Sequence, residues 1–162
     1  MKPLWKLDRT PPIGTPFDPG ARHDVIIVGA GLTGLTTAVM LTRAGLDVAV
    51  IEAGEVAELA TGGNAGKLTL LQGKRLAEIR RHHSASLVQA YVEGNREGMD
   101  WLVGFADHAG VSYERRADHS YAQDPNGVDS VREVHEAARE AGLATRMLTR
   151  DCLLYTSPSP RD

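Results

Sequence analysis

The sequence predicts an α/β fold that opens with a strand, a glycine turn, a helix and a second, parallel strand, then continues into helices and the start of a mixed α+β region. Three observations predict it. Val25 to Val28 is a β-branched run of the length of a buried parallel strand. It passes without a linker into Gly29-Ala30-Gly31-Leu32-Thr33-Gly34, a G-x-G-x-x-G spacing. Asp47-Val-Ala-Val-Ile51 is a second apolar run, and it ends in an acid, Glu52, 18 positions after Gly34.

Each element has a physical reason. Gly29 permits the tight turn out of the strand, and Gly31 lets a diphosphate approach the backbone without meeting a Cβ. Gly34 lets the helix that follows, Leu35 to Arg43, pack closely on the strand. That helix aims its free N–H groups and the positive end of its dipole at a bound phosphate. Gly45 stops it. Glu52 stands where a carboxylate accepts hydrogen bonds from the hydroxyls of an adenosine ribose. Strand, glycines, helix, strand and acid follow one another in the order of a Rossmann-like βαβ unit, which predicts dinucleotide binding. The plainer alternative is a tight βα turn with no ligand.

Composition narrows the function classes. With 162 residues, 18 basic and 21 acidic, the chain carries a net charge of −3 and no long run of one sign, so nothing points to nucleic acid or an anionic membrane. No stretch approaches the roughly 18 apolar residues that span a bilayer. Pro3, Asp8, Pro11, Pro12 and Gly14 interrupt any signal-peptide pattern, and the expected location is cytoplasmic. Residues 1–23 hold five prolines and are expected to form an extended lead-in, with Trp5 and Leu7 packed on the domain surface or left in a tail.

After Glu52 and Ala53 comes a second glycine-rich stretch, Thr61-Gly-Gly-Asn-Ala65-Gly66-Lys67. Its glycines can take positive φ and expose backbone N–H groups to a cofactor, or form a mobile surface loop. Lys67 is a phosphate or flavin partner on one reading and a solvated lysine on the other. Helical periodicity begins at Lys74. Leu76 and Ile79 lie three apart, and a longer segment places Val88, Tyr91, Val92, Met99, Leu102 and Phe105 on one face. Ser84 or Ser86 caps its start and Gly110 ends it. Residues 111–115 and 119–123 alternate as two short strands, Asp124-Pro-Asn-Gly127 is a turn, and Val128 to Ala141 is a helix with Val131, Val134, Ala138 and Ala141 on one face. Ala144 to Leu148 begins another strand. His82 and His83 are adjacent and so diverge on a helix, and the other histidines have no ligand pattern around them, so no metal site is predicted.

Trp5-Lys-Leu-Asp8, the glycine motif with Thr36-Thr37-Ala38, Glu52-Ala53, the Thr61 to Thr69 loop and Leu71-Gln72-Gly73 together resemble the start of an FAD-dependent oxidoreductase of the D-amino-acid oxidase and glycine oxidase superfamily. Within it, the chain is most similar to the subgroup with a C-terminal Rieske iron–sulfur domain. That subgroup's loop has a His and threonines where this chain has Gly63, Asn64, Ala65 and Gly66, a stretch that equally resembles relatives oxidising amines. The resemblance implies an adenine dinucleotide along Gly29, Ala30, Gly31, Leu32, Thr33 and Gly34, its ribose on Glu52 with Ala53 beside it, and the flavin ring near Thr61, Ala65, Gly66 and Lys67. It implies FAD as cofactor and a small amine or amino-acid-like substrate that passes a hydride to the flavin, with oxygen or a Rieske or ferredoxin partner as electron acceptor. No residue here is assigned as catalytic acid or base. The competing readings are a fragment of an NAD-dependent dehydrogenase and a nucleotide-binding module without chemistry.

Residues 152–162, Cys-Leu-Leu-Tyr-Thr-Ser-Pro-Ser-Pro-Arg-Asp, lack hydrophobic periodicity and resemble the translation of a common transposon-based sequencing adapter. The expected organisation is therefore a lead-in over 1–23, the N-terminal part of an FAD-binding domain over 24–110, the truncated start of a substrate domain over 111–151, and an adapter-derived tail. Such a chain is expected to be inactive and to hold the cofactor site loosely.

Overall fold

A computed structural model describes residues 14–149. Trp5, Leu7 and the suspected adapter tail lie outside the described residues. The chain is a mixed helix and strand protein that divides into two compact units after Lys67.

The first unit contains β1 (Val25–Val28), α1 (Leu32–Arg43), β2 (Val48–Ile51) and α2 (Ala60–Gly63), a single turn. β1 and β2 pair in parallel, Val25 opposite Val48 and Val28 opposite Ile51. The ladder runs one step beyond the strands, because Gly29 N–H donates to the Ile51 carbonyl at 2.7 Å. Burial alternates along β1: Val25 and Ile27 are half-buried while Ile26 and Val28 are exposed. Period-two side chains put Ile27 on the face that α1 covers, close to Gly34. α1 begins at Leu32, three residues ahead of the expected Leu35, since Gly31 is extended and serves as its N-cap. Gly45 ends it at φ +89°, and Leu46 N–H returns to the Leu41 carbonyl at 3.2 Å, a left-handed C-terminal cap. Asp24 Oδ2 accepts the Asp47 amide at 2.9 Å and thereby aligns the entries of the two strands.

The second unit is helical: α3 (Arg75–His82), α4 (Ala85–His108) and α5 (Val128–Glu140). Its core joins Leu76 of α3 and Val88 and Val92 of α4 to Ala137, Ala138 and Ala141. Small alanines on α5 let the helices approach closely. Ser84 caps α4, its Oγ accepting the Leu87 amide at 3.4 Å. Gly110 (φ +68°) and Gly142 (φ +81°) end α4 and α5. Across the solvent side of the α3–α5 contact, Arg80 pairs with Glu136 at 3.3 Å and Glu140 at 2.7 Å, and Arg81 pairs with Glu133. The Glu136 hydrogen bond, with Glu140 adding to it, holds the Arg80 guanidinium above its ordinary pKa.

The structure corrects three expected strands. Residues 111–115, 119–123 and 144–148 form no ladder, and β1 with β2 is the only sheet among the described residues. The alternation is present in the sequence, but Val111, Tyr113 and Tyr121 stay exposed, so the first two segments have no buried apolar face to pack as strands, and residues 144–148 pair with no strand among the described residues. The expected turn is a 3₁₀ turn, Pro125–Gly127, closed by Asp124 Oδ1 accepting the Gly127 amide at 3.1 Å.

Candidate functional site

The site is built at the junction of β1 and α1. Gly29 turns the chain at φ +102°, a conformation that a side chain disfavours. A Cβ on Gly34 would stand 2.0 Å from the Gly29 carbonyl oxygen and 3.3 Å from Ile27 Cγ2, so only glycine lets α1 start this close to the strand. Gly31 is different. Its nearest protein atom for a Cβ is Thr61 Oγ1, at an ordinary 3.5 Å, and the rest of its face is open. Protein packing therefore requires glycine at 34, whereas at 31 it leaves bare backbone facing outward.

That backbone opens onto a cleft of about 500 Å³ lined by Gly29, Gly31, Leu32, Thr33, Gly34 and Thr61, with Val28, Ala60 and Asn64 around them. The helical ladder of α1 starts with the Leu35 amide on the Gly31 carbonyl, at 2.9 Å. The amides of Leu32, Thr33 and Gly34 come before it and form the positive end of the helix. Leu32 N–H donates to Thr61 Oγ1 at 2.9 Å, so α2 supplies the cap that Gly31, lacking a side chain, cannot. Asn64 fixes the loop behind Thr61 by donating to the Thr61 carbonyl and accepting the Gly66 amide, both at 2.7 Å.

Glu52 follows β2 and reaches back to the turn. Its Oε2 accepts the Ala30 amide at 2.7 Å and its Oε1 accepts the Gly54 amide at 3.0 Å. The Gly54 and Ala30 hydrogen bonds hold its carboxyl below the usual carboxylate range. A carboxylate offers about four lone-pair sites; the Ala30 and Gly54 amides take two, and the Ala53 amide also acts on the group.

The structure thus brings Gly29, Gly31, Leu32, Thr33, Gly34 and Thr61 to one cleft, with Ala30 and Glu52 bound to each other beside it. Ala53 is exposed next to Glu52; Ala65, Gly66 and Lys67 are exposed and do not line the cleft. Sequence reasoning missed Ala57, whose amide donates to the Ala30 carbonyl at 2.9 Å, and the Gly54 amide on Glu52. Both contacts run through backbone groups, which leave no mark in a sequence.

A second cavity, about 510 Å³, belongs wholly to the second unit, with Leu71, Met99 and Val134 on its apolar side. Thr69 donates to Asp118 there, and His135 Nδ1 lies 2.9 Å from Thr145 Oγ1. The volumes are alike, so chemistry distinguishes the two: only the cleft at the glycine turn presents a helix N-terminus and bare backbone. No cluster of His, Cys, Asp or Glu suited to a metal occurs among the described residues. No helix among them is long and apolar enough to cross a membrane.

In the first unit a parallel strand pair is joined through a glycine turn and a helix N-terminus, with an acid after the second strand. Comparison with known proteins makes the class specific: residues 24–161 match the FAD dependent oxidoreductase family, and the chain belongs to it. FAD is the cofactor this family implies, and the open face of Gly31 with the α1 N-terminus at the cleft suits an anionic group such as its diphosphate. The chain is 29% identical over 141 residues to YhfW of Bacillus subtilis (strain 168), whose name describes a Rieske 2Fe-2S iron-sulfur protein, covering 86% of this chain and 28% of that protein. It is 30% identical over 173 residues to the glycine oxidase of Bacillus licheniformis, covering 83% of this chain and 46% of the oxidase. A 45-residue stretch is 49% identical to gamma-glutamylputrescine oxidoreductase of Escherichia coli (strain K12), covering 28% of this chain and 11% of that enzyme. The chain thus spans less than half the length of these relatives. No solved structure gives a significant match.

Proposed function

We propose that the chain supplies the N-terminal part of a Rossmann-like FAD-binding domain, over residues 24–110, and the opening of a substrate domain, over 111–151, in an enzyme that oxidises a small amine or amino-acid-like substrate. The observation that carries this reading is the contrast between Gly34, closed by the Gly29 carbonyl, and Gly31, open to the cleft. In this reading the diphosphate lies along residues Gly29 to Gly34, where Ala30 fixes the turn and the Thr33 and Gly34 amides face the negative charge. Glu52, with Ala53 beside it, receives the ribose. Thr61, Ala65, Gly66 and Lys67 face the flavin end.

The bound flavin supplies the redox chemistry, accepting a hydride from the carbon next to the substrate nitrogen. The chain's own residues bind and orient. Thr61, while accepting the Leu32 amide, keeps its hydroxyl hydrogen available for a phosphate oxygen. The names glycine oxidase and gamma-glutamylputrescine oxidoreductase support an amino acid or amine as substrate. The test is made on the whole protein. Purified, it is expected to show the two visible absorption bands of a flavin and to lose them when an amine or amino acid is added without oxygen. A colourless protein that binds NAD, or a flavin that no amine or amino acid bleaches, overturns the reading.

A further inference from the structure

The turn that forms the cleft is held from behind. Ala30 is 2% exposed and is not among the residues lining the cleft. Its amide donates to Glu52 Oε2 at 2.7 Å, and its carbonyl accepts the Ala57 amide at 2.9 Å. Both backbone groups of the central turn residue are therefore taken by the segment after β2. Glu52 is itself fixed by the Gly54 amide on its other oxygen, at 3.0 Å. Ala57 reaches the Ala30 carbonyl through a left-handed backbone, φ +57°, the only positive φ on a non-glycine residue among those described. An L-residue avoids this region because its Cβ crowds the backbone, and the conformation persists only where the surroundings impose it. Ala57 is 8% exposed, and its amide is held by the Ala30 carbonyl.

We propose that Ala57 is a positioning residue for the cofactor: its left-handed backbone and the Glu52 carboxylate clamp Ala30 on both sides and set the glycine turn before a dinucleotide arrives. The proposal rests on the FAD-binding reading above and adds to it where the affinity comes from. Amides that are already oriented need no ordering when the diphosphate binds, so Ala57 raises affinity without touching the ligand.

Hydrogen exchange on the ligand-free chain tests the clamp without any cofactor. The Ala30 and Ala57 amides are expected to exchange roughly a hundredfold more slowly than the exposed amides of the same unit; exchange at the exposed rate overturns the proposal. Titration of FAD into variants of the whole protein, followed by quenching of flavin fluorescence, tests the link to binding. Ala57→Gly keeps the amide and removes the strain, and is expected to bind FAD at least as tightly as the unsubstituted protein. Ala57→Val keeps the amide but opposes positive φ more strongly, and is expected to weaken FAD binding by about tenfold with its helical circular dichroism unchanged. If both variants shift only the melting temperature and leave FAD affinity alone, Ala57 is structural and the proposal falls. Should Ala57→Val fail to fold, the exchange rates of the unsubstituted chain still decide. Protected amides in a whole protein that binds no FAD would overturn the cofactor reading and leave the clamp standing.

Discussion

The two units of the chain are stabilised by different means. In the second, Leu76, Val88, Val92 and the alanines of α5 interdigitate as a helical core, and burial is concentrated in side chains. In the first, the fully buried hydrophobic residues among those described are Ala30 and Ala57, both on the glycine turn and its clamp. Val25, Ile27 and the residues of β2 are half-buried, while Ile26 and Val28 stay exposed. Order at the turn of the first unit therefore rests more on backbone hydrogen bonds and glycine geometry than on fully buried side chains. The difference teaches where each unit is fragile: a helical core fails through cavities, a hydrogen-bonded turn through a misplaced Cβ or a lost acceptor.

Substitutions can separate the two. Leu76→Ala opens a cavity at a residue 1% exposed and is expected to cost about 2–5 kcal/mol in urea unfolding of the second unit. Amide exchange around Ala30 should stay unchanged, and a parallel loss there would erase the distinction between the units. Gly34→Ala is the mirror experiment. A Cβ 2.0 Å from the Gly29 oxygen forces α1 away from the turn, an overpacking cost of about 1–3 kcal/mol, with exchange protection lost around Ala30 and the second unit's helices intact. Ser84→Ala removes the cap of α4; because its hydrogen bond is long, at 3.4 Å, the expected loss is about 0.5 kcal/mol, the low end for caps. Arg80→Ala breaks the exposed pairs with Glu136 and Glu140 and is expected to cost about 0.5 kcal/mol, less in high salt.

The first unit should also respond to acid in a way the second does not. The folded-state pKa of Glu52 is lowered by the Gly54 and Ala30 amides, so its contribution is fully present above the unfolded carboxyl value and is lost as pH falls through the folded one. The protection factor of the Ala30 amide, its exchange corrected for the intrinsic slowing of amides in acid, is expected to fall below about pH 4.5, the ordinary carboxyl value, and Glu52→Gln should remove that dependence. An unchanged profile in the Gln variant would assign the acid response to another group.

Much of this arrangement was legible in the sequence because it rests on residues with conformational signatures. Gly34 and Gly45 do what glycine alone does at a close approach and at a left-handed cap, and Ser84 caps where its hydroxyl predicts. Glu52 was legible as the acid after the second strand, but its grip on Ala30 and Gly54 was not, since amides are common to every residue. Ala57 was invisible for the same reason, and because an alanine rarely takes positive φ. Thr61 read as a loop residue near a cofactor, while its cap on Leu32, 29 positions earlier, needed the fold. The strands expected over 111–115, 119–123 and 144–148 failed in the opposite direction. Alternation records a face that could be buried, and a strand exists only where a neighbour completes its ladder.

The central claim is that bare backbone at Gly31 exists to receive a dinucleotide, and titration of FAD into the whole protein and into its Gly31→Ala variant tests it most directly. A Cβ at this position meets only Thr61 Oγ1 at 3.5 Å, so the fold should tolerate the methyl group while the approach of a diphosphate is narrowed. The account predicts flavin quenching with the unsubstituted protein, weaker quenching in Gly31→Ala, and the same helical circular dichroism in both. Equal FAD binding by the two proteins would contradict it.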